Sequence, residues 1–359
     1  MMKRLKKLTA LLTAIGMVAA MSACGSDAAS SAAASAAVSA GTDAAPAATE
    51  AAAPAEAGSA ADGDTYLIGI CQLVQHEALD AATQGFKDAL TEKLGDKVKF
   101  DEQNASGDSA NCSTIVNGFL SENVDLILAN ATAPLQAAAA ATSEIPVLGT
   151  SVTDYATALE ISDWTGTVGN NVSGTSDLAP LDQQAAMIKE LFPDAKKVGL
   201  LYCSAEPNSI YQAERAERYL KRLKRDCAIY TVADSNDVQA VLTKAVQECG
   251  AIFIPTDNTM ANSMEIVKNI TIPAGVPTFA GAEYMSRIGA LATLSVRYYD
   301  LGVKAAEMAY NILVNGTKPA EMPIAFVSDG VTPKYNAEIA RALGITPPAD
   351  MEALEEPME

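Results

Sequence analysis

The chain has 359 residues and a formal net charge of -19 at pH 7, because 44 acidic side chains outnumber 25 basic ones. A chain this acidic is a poor nucleic-acid binder, because phosphate contacts need aligned Lys and Arg side chains. From residue 64 onward, residues 221–226 are the one dense basic run in the sequence. The length suits two folded domains, and the single histidine would leave any Ser-His-Asp triad dependent on His76.

The N-terminal segment predicts an export signal. Its first residues carry four basic side chains, and an apolar run over residues 8–21 leads to two small residues and Cys24. The run is too short for an ordinary transmembrane helix, and small residues are typical of a cleavage site. Cys24 resembles the lipidated cysteine of a bacterial lipobox, so we expect removal of residues 1–23 and attachment of fatty-acyl chains such as palmitate. The alternative is an ordinary secretory signal with an unrelated cysteine.

The next segment, residues 24–63, predicts a disordered tether. After the cysteine it consists almost wholly of Ala, Ser, Gly, Pro, Thr, Asp and Glu, with Val38 as its one larger apolar residue. Such a composition cannot bury enough surface to offset the entropy lost on ordering. An acyl anchor and a tether would hold the rest of the chain near a membrane surface outside the cytoplasm.

From residue 64 onward, strand-like and helix-like segments alternate. YLIGICQL is a short run rich in β-forming residues, and the following EALDAATQGFKDALTEKL places its apolar residues on one helical stripe. VKFDEQN, DLILAN and IPVLGTS read as further strands, with helices between them. This alternation predicts right-handed crossovers and a parallel sheet covered by helices on both faces.

The same order of elements recurs in the second half of the chain. The corresponding segments, first half before second half, are TYLIGICQL and KKVGLLYCS, VKFDEQ and CAIYTV, VDLILANATAPL and GAIFIPTDNTM, and IPVLGTSV and VPTFAGAE. Similar elements in the same order at similar spacing predict two similar lobes, each a doubly wound parallel α/β sheet.

A cleft between two such lobes would be lined by the carboxyl ends of both sets of strands. LILANATAPL and IPTDNTM each place a polar side chain at a strand end and at the start of a helix, where the helix dipole favours an anion. We therefore expect Thr132 and Asp257 to approach one solute from opposite walls, with Asp257 pairing with a ligand ammonium. The alternative for both residues is helix capping.

The sequence resembles the bacterial ABC-transporter substrate-binding lipoproteins of the type I periplasmic-binding fold, in the branch that includes tryptophan- and phenylalanine-binding proteins. The resemblance is carried by QHEALDAA, EQNASGD, GTSVTD, GNNVSGTSD, PTDNTM and GALATLSVRYYDLG, which span the body. It departs from the family pattern at Ser295, Val296 and Arg297. It implies a monomeric receptor that closes on a solute and delivers the solute to an ABC permease and its ATPase.

The resemblance also implies three crossings between the lobes, so that each lobe is discontinuous in sequence. We expect the crossings near residues 174–181, 282–289 and 319–323. The predicted segments are 64–177 with about 289–320 for the first lobe, 178–288 with about 321–348 for the second lobe, and 349–359 for an acidic tail.

Polar residues at the strand ends and crossings are the candidates for ligand contact. Each has a structural alternative, which is capping for the residues that precede helices, a turn for those at the end of the strand IPVLGTS, and hinge shaping for those at the first crossing. The candidates are Gln72, His76, Thr132, Ser151, Thr153, Ser176, Asp177, Ser204, Asn208, Ser209, Asp257, Asn258 and Glu283.

The sequence argues against an enzyme and leaves the ligand open. It has no GxSxG elbow, no P-loop and no GxGxxG between a strand and a helix, and its cysteines lack zinc-site spacing, so we expect no metal and no cofactor. A carboxylate site facing an acidic residue predicts an amino acid, and the resemblance implies that its side chain is apolar or aromatic. The alternatives are another small solute, such as a sugar or a heteroaromatic compound, and a sensing role beside a membrane receptor.

Overall fold

The computed structural model describes residues 65–327 and 331–354. The predicted signal peptide, Cys24 and the tether lie outside these residues, as do residues 355–359 of the predicted tail. Across the described ranges, no helix combines the length and the apolar character needed to cross a bilayer.

Strands and helices alternate along the described chain, as the sequence predicts. The strands are β1 (Tyr66–Gln72), β2 (Val98–Asn104), β3 (Leu126–Asn130), β4 (Val147–Val152), β5 (Val172–Ser176), β6 (Lys197–Cys203), β7 (Asp226–Val232), β8 (Ala251–Ile254), β9 (Thr278–Ala280), β10 (Ala292–Leu294), β11 (Ala325–Phe326), β12 (Pro333–Tyr335) and β13 (Glu352–Ala353). The α-helices are α1 (Glu77–Leu94), α2 (Ser109–Glu122), α3 (Thr132–Ala141), α4 (Tyr155–Ala158), α5 (Leu181–Leu191), α6 (Pro207–Arg222), α7 (Val238–Glu248), α8 (Asn258–Ala261), α9 (Met264–Ala274), α10 (Glu283–Ile288), α11 (Tyr298–Leu313) and α12 (Ala337–Leu343).

The strands form two sheets, which confirms the predicted two-lobed α/β fold. The first lobe contains the sheet β11-β5-β4-β3-β1-β2, and every neighbouring pair in it is parallel. The second lobe contains the sheet β13-β12-β10-β9-β8-β6-β7, which is parallel except for the antiparallel pair of β10 and β12. Parallel neighbours require crossover helices, which explains why helices separate most of the strands.

Apolar residues fill both faces of the first sheet. Ile68 and Ile70 of β1 pack on one face with Phe86 of α1. Cys71, which points the other way along the strand, packs with Cys112 and the rest of the α2 core. The second sheet is likewise covered on both sides, by α5 and α6 on one face and by α7 and α9 on the other. Continuous apolar strands are therefore a consequence of burial on two faces.

Two of the three crossings between the lobes lie later in the chain than predicted. The first crossing follows β5 and lies within the predicted range 174–181. The second was expected at 282–289, but β10 pairs with β9 and β12 in the second sheet, so the chain returns to the first lobe only after Leu294. The departure from the family pattern at residues 295–297 therefore lies in this crossing.

The third crossing also lies later than expected. It was predicted at 319–323, but β11 pairs with β5 in the first sheet, so the passage to the second lobe follows Phe326. The predicted tail contributes β13, which pairs with β12. These pairings involve strands of two or three residues, whose partners are set by contacts far away in sequence.

Helix α11 packs closely along α1 because glycines face the partner backbone. A Cβ atom added at Gly302 would overlap the carbonyl oxygen of Ala82, and one added at Gly85 would overlap that of Tyr299. This contact fixes the start of α11, directly after the second crossing, against the first lobe.

We expect Gly302→Ala to lower the free energy of unfolding by about 1–3 kcal/mol, since the added methyl group must separate two packed helix backbones. Gly118→Ala is the matched control, because Gly118 also lies inside a helix but has open space at its Cβ position. The control is expected to gain up to about 1 kcal/mol from the better helix propensity of alanine. Urea denaturation of both variants measures the difference, and equal stabilities would contradict this account of the packing.

Candidate functional site

A cleft lies between the two lobes, next to the first and second crossings. The residues that line it come from both lobes and from both crossings. They are His76, Ala78, Leu79, Ser151, Asp177, Asn208, Thr256, Asp257, Asn258, Ala261, Ala282, Tyr284, Met285 and Tyr298. Because strand ends of both sheets contribute, the cleft lies where parallel α/β folds place their ligands.

Ser151 has a buried hydroxyl that has no protein partner in the described structure. The side chain lines the cleft, is 7% exposed, and its Oγ makes no hydrogen bond to another described residue. The residue has a φ of 56°, a left-handed conformation that is uncommon outside glycine. A buried hydroxyl without a partner costs about 1–3 kcal/mol. Ser151 is therefore available to bond with a ligand in the cleft.

Asp177 is a buried carboxylate at the first crossing. Its Oδ2 accepts a hydrogen bond of 2.7 Å from the Tyr298 hydroxyl, and its Oδ1 accepts one of 2.9 Å from Thr153. Burial raises the pKa of Asp177, and the bonds from Tyr298 and Thr153 oppose that rise. When the Asp177 carboxyl is ionised, its hydrogen-bond donors are neutral and do not balance its negative charge. A cation that entered the cleft would balance that charge.

Asp257 lines the cleft, but its carboxylate accepts hydrogen bonds from backbone N–H groups of the protein. Oδ2 accepts from the backbone N–H of Cys203 at 2.6 Å, and Oδ1 accepts from that of Met260 at 2.8 Å. The second bond caps α8, which is the alternative left open by the sequence. Burial and the nearby charge of Glu206 raise the pKa of Asp257. Asp177 is the better placed of the two carboxyls for a ligand ammonium.

His76 connects the lobes. Its Nδ1 accepts a bond of 3.4 Å from the backbone N–H of Leu79 and so caps α1, as one reading of the sequence proposed. The proton of the neutral ring is thus on Nε2, which lies 3.2 Å from Oδ1 of Asn258 in the second lobe. The ring also stacks on Tyr284, with centroids 6.0 Å apart. Burial lowers the pKa of His76, so the neutral ring is favoured in this arrangement.

Glu206 binds the start of α8, which lines the cleft on the second lobe, and this role was not predicted from the sequence. Its Oε2 accepts from the backbone and side-chain N–H groups of Asn258, at 2.9 and 2.7 Å. Its Oε1 accepts from the backbone N–H and the hydroxyl of Thr259, both at 2.9 Å. Since Glu206 binds a segment about fifty positions away, no local sequence pattern could have identified it.

Some predicted site residues make contacts inside one lobe instead of lining the cleft. Gln72 donates to Asp80 at 2.7 Å, and Ser204 donates to the backbone of Val232 at 3.1 Å. Glu283 forms ion pairs with two neighbouring cations. The predicted residues outside the lining are Gln72, Thr132, Thr153, Ser176, Ser204, Ser209 and Glu283.

Thr132 and Ser209 are two predicted ligand contacts that are buried outside the lining of the cleft. Thr132 is buried in the first turn of α3 and does not line the cleft, so the expected pairing of Thr132 with Asp257 across one solute is not what the structure presents. Ser209 is buried and donates to the Thr256 backbone at 3.3 Å. Thr153 donates a hydrogen bond to Asp177, and Ser176 donates one to the backbone oxygen of Thr153.

The apolar and aromatic part of the cleft was largely missed. Tyr284 and Tyr298 line it together with Leu79 and Met285, whereas the residues predicted from the sequence are all polar or charged. Tyr298 donates a hydrogen bond to Asp177 at the crossing and also faces the cleft. No sequence signal pointed to this role of Tyr298, because the second crossing was expected at 282–289 and not directly before this residue.

Comparisons with known proteins agree on one family. Residues 67–356 match the family described as ABC transporter substrate binding protein. A tyrosine-binding protein of Clostridioides difficile strain R20291 is 36% identical over 265 residues, which cover 73% of this chain and 76% of that protein.

Two solved structures allow the arrangement of the lobes to be compared. An ABC domain from Streptococcus pneumonia in complex with L-Trp is 33% identical, with a TM-score of 0.76 over 80% of this chain and 97% of that chain. A ligand-free, open structure of a Clostridium difficile substrate-binding protein with adhesive properties is 35% identical, with a TM-score of 0.64 over 81% of this chain and 100% of that chain. At similar identity, this chain superposes better on the L-Trp complex.

The lowered pKa of His76 predicts a pH dependence of stability. The unfolded chain binds the proton near pH 6.5, whereas the folded chain binds it only at lower pH, so the free energy of unfolding falls as pH decreases below about 6.5. The opposing influences are the charges of Asp80 and Glu206 and the bond to Asn258, which the burial outweighs.

His76→Gln should remove this dependence, and the single histidine makes the comparison clean. The unfolding free energy of wild type minus that of the variant should decrease as pH falls, by at most about 1.4 kcal/mol per pH unit. Shared carboxyl groups, including Asp177 and Asp257, cancel in that difference. Urea titrations from about pH 8 to about pH 5 measure it. Parallel profiles for the two proteins would rule out a buried neutral His76.

Proposed function

The chain belongs to the family of ABC transporter substrate-binding proteins, and from this premise we propose that it captures an aromatic amino acid between its lobes for an ABC importer. The family is one of solute-binding proteins, in agreement with the prediction that the chain is not an enzyme. Members of such systems act outside the cytoplasm, where the solute is collected.

The observation that carries the choice of ligand is that Asp177 and Ser151 line the same cleft as an aromatic and aliphatic wall. Asp177 would accept from the ligand ammonium, and the free Ser151 hydroxyl would bond with a second polar group of the ligand. Tyr284, Tyr298 and Met285 would pack on the side chain. Ligands of two relatives, tyrosine and L-Trp, support the same class.

We further propose that solute binding closes the lobes. A solute that touches both walls binds the closed arrangement more tightly than the open one, and so shifts the population towards it. The better superposition on the L-Trp complex than on the open relative supports this reading, as do the contacts of His76 with Asn258 and Tyr284 across the cleft.

Membrane attachment completes the proposal. Cys24 would carry the acyl anchor after removal of residues 1–23, and the acidic, Ala-rich tether would let a monomeric receptor reach the permease that its ATPase drives. The absence of Lys and Arg from residues 25–63 argues for acyl chains over a polybasic contact as the means of attachment.

Calorimetry with the common amino acids tests the ligand and the role of Asp177. We expect L-tyrosine or L-tryptophan to bind, and Asp177→Asn to weaken that binding by about 10- to 150-fold, since a charge-assisted hydrogen bond is lost. Glu102→Gln is the control, because Glu102 pairs with Lys87 on the surface of the first lobe. Binding of sugars or purines, with no response to amino acids, would refute the proposed ligand class.

An analogue that lacks the ammonium separates the charge contact from folding effects. 3-(4-Hydroxyphenyl)propionate should bind wild type less tightly than tyrosine, and this gap should narrow in Asp177→Asn. An unchanged gap would mean that another group holds the ammonium.

Ser151→Ala should weaken amino-acid binding by about 2- to 12-fold through loss of one hydrogen bond. The free energy of unfolding without ligand should not fall, because the hydroxyl has no partner within the described protein. Ser204→Ala is the control, since the Ser204 hydroxyl bonds to Val232 away from the cleft and ligand affinity should persist. Equal affinities of Ser151→Ala and wild type would remove Ser151 from the binding site.

A further inference from the structure

We propose that an ion-pair network outside the cleft, formed by Glu77, Arg287, Glu283 and Lys334, latches the lobes and slows solute release without affecting solute choice. We call these four residues the latch. This inference rests on the proposed function for its kinetic readout, although its conformational readout does not.

The latch has one residue on the first lobe and three on the second. Glu77 begins α1 on the first lobe, and its Oε1 contacts a guanidinium nitrogen of Arg287 in α10. A second guanidinium nitrogen of Arg287 lies 3.2 Å from Oε1 of Glu283. Oε2 of Glu283 is 2.9 Å from Nζ of Lys334 on β12. Arg287 therefore bridges a carboxylate of each lobe.

The half of the latch on the second lobe is built in place. The side-chain amide of Asn336 donates to the backbone oxygens of Ser286 and Arg287, at 3.1 and 2.9 Å, which holds the end of α10. The side chain of Arg287 is 18% exposed and keeps Glu283 as a partner whether or not Glu77 is near. Opening the lobes would therefore separate one ion pair, that of Glu77 and Arg287.

Glu77 is suited to associate and dissociate with little cost to the fold. Its side chain is 46% exposed, and it stands in the first turn of α1, where the helix dipole favours a negative charge in either state. Water can replace Arg287 as its partner when the lobes part. The contact thus favours the closed arrangement without making it permanent.

The latch lies beside the cleft but does not line it. His76 and Tyr284, the sequence neighbours of Glu77 and Glu283, face the cleft and stack on each other. Glu77, Arg287, Glu283 and Lys334 are absent from the lining, so a bound solute does not touch them. A contact that stabilises closure without touching the solute changes the affinity for every solute by one factor.

The test uses Glu77→Gln and the charge reversal Glu77→Arg in the full chain. L-Tyrosine and L-tryptophan serve as probes in stopped-flow dissociation. Glu77→Gln should raise both dissociation rates by about 1.5- to 5-fold, the range of a partly exposed pair, and leave their ratio unchanged. Glu102→Gln is the matched control, with a carboxylate 44% exposed and a partner in the same lobe. A change in the ratio would assign Glu77 to the binding site and overturn the latch.

Salt sharpens the test because it screens the pair. Wild-type dissociation should accelerate as NaCl rises towards about 1 M, where charges are screened within about 3 Å, while Glu77→Gln should lose the latch part of this response. For Glu77→Arg the effect should have the opposite sign, since salt would relieve the repulsion from Arg287. Equal salt responses in wild type and both variants would overturn the proposal.

A readout without solute separates this proposal from the assigned ligand. Small-angle X-ray scattering of the solute-free full chain should give a larger radius of gyration for Glu77→Arg than for wild type, with Glu102→Gln equal to wild type. If neither amino acid binds but this difference is present, the ligand assignment fails and the latch stands. If the amino acids bind but dissociation and scattering are the same in all variants, the latch fails and the function stands.

Discussion

The site depends on one buried carboxylate, Asp177, placed where the chain first leaves the first lobe. Its two oxygens accept hydrogen bonds from Thr153 on the first lobe and from Tyr298 at the second crossing, so one side chain ties both hinge segments to the cleft. Hydrogen bonds from neutral donors do not neutralise a buried charge. The solute that suits this environment brings a positive group, and the proposed ammonium contact follows from that constraint.

The packing of α11 on α1 connects this carboxylate to the contacts between the lobes. Tyr298 begins α11, and the close approach at Gly85 and Gly302 holds that helix against α1. The other end of the connection is the start of α1, where His76 and Glu77 contact the second lobe. The hinge hydrogen bond and the contacts across the cleft are thus attached to the same pair of helices.

The sequence predicted the architecture better than the individual contacts. Two lobes followed from the recurrence of strands and helices in one order, because long apolar periodic segments encode their own structure. The crossings at β10 and β11 were misplaced, since strands of two or three residues take their partners from long-range pairing. His76, Ser151, Asp177, Asn208, Asp257 and Asn258 do line the cleft, because strand ends identify the right edge of a parallel sheet. Strand ends do not reveal which polar groups are already used, as Asp257 and Glu206 show.

The two strand-to-helix turns that looked alike in sequence therefore have different chemistry. On the second lobe, Asp257 and Glu206 satisfy the backbone N–H groups around α8, so this wall is complete before any solute arrives. On the first lobe, Ala131 precedes α3 at a φ of 106° without a side-chain cap, and the nearby strand end carries Ser151 with its free hydroxyl. Among the cleft-lining side chains of the described residues, Ser151 is the buried one that lacks a partner. Unsatisfied polar groups gain most from a ligand, so under the proposed function the first lobe and the hinge would recognise the polar part of the solute, and Tyr284 and Met285 of the second lobe would pack on its apolar part.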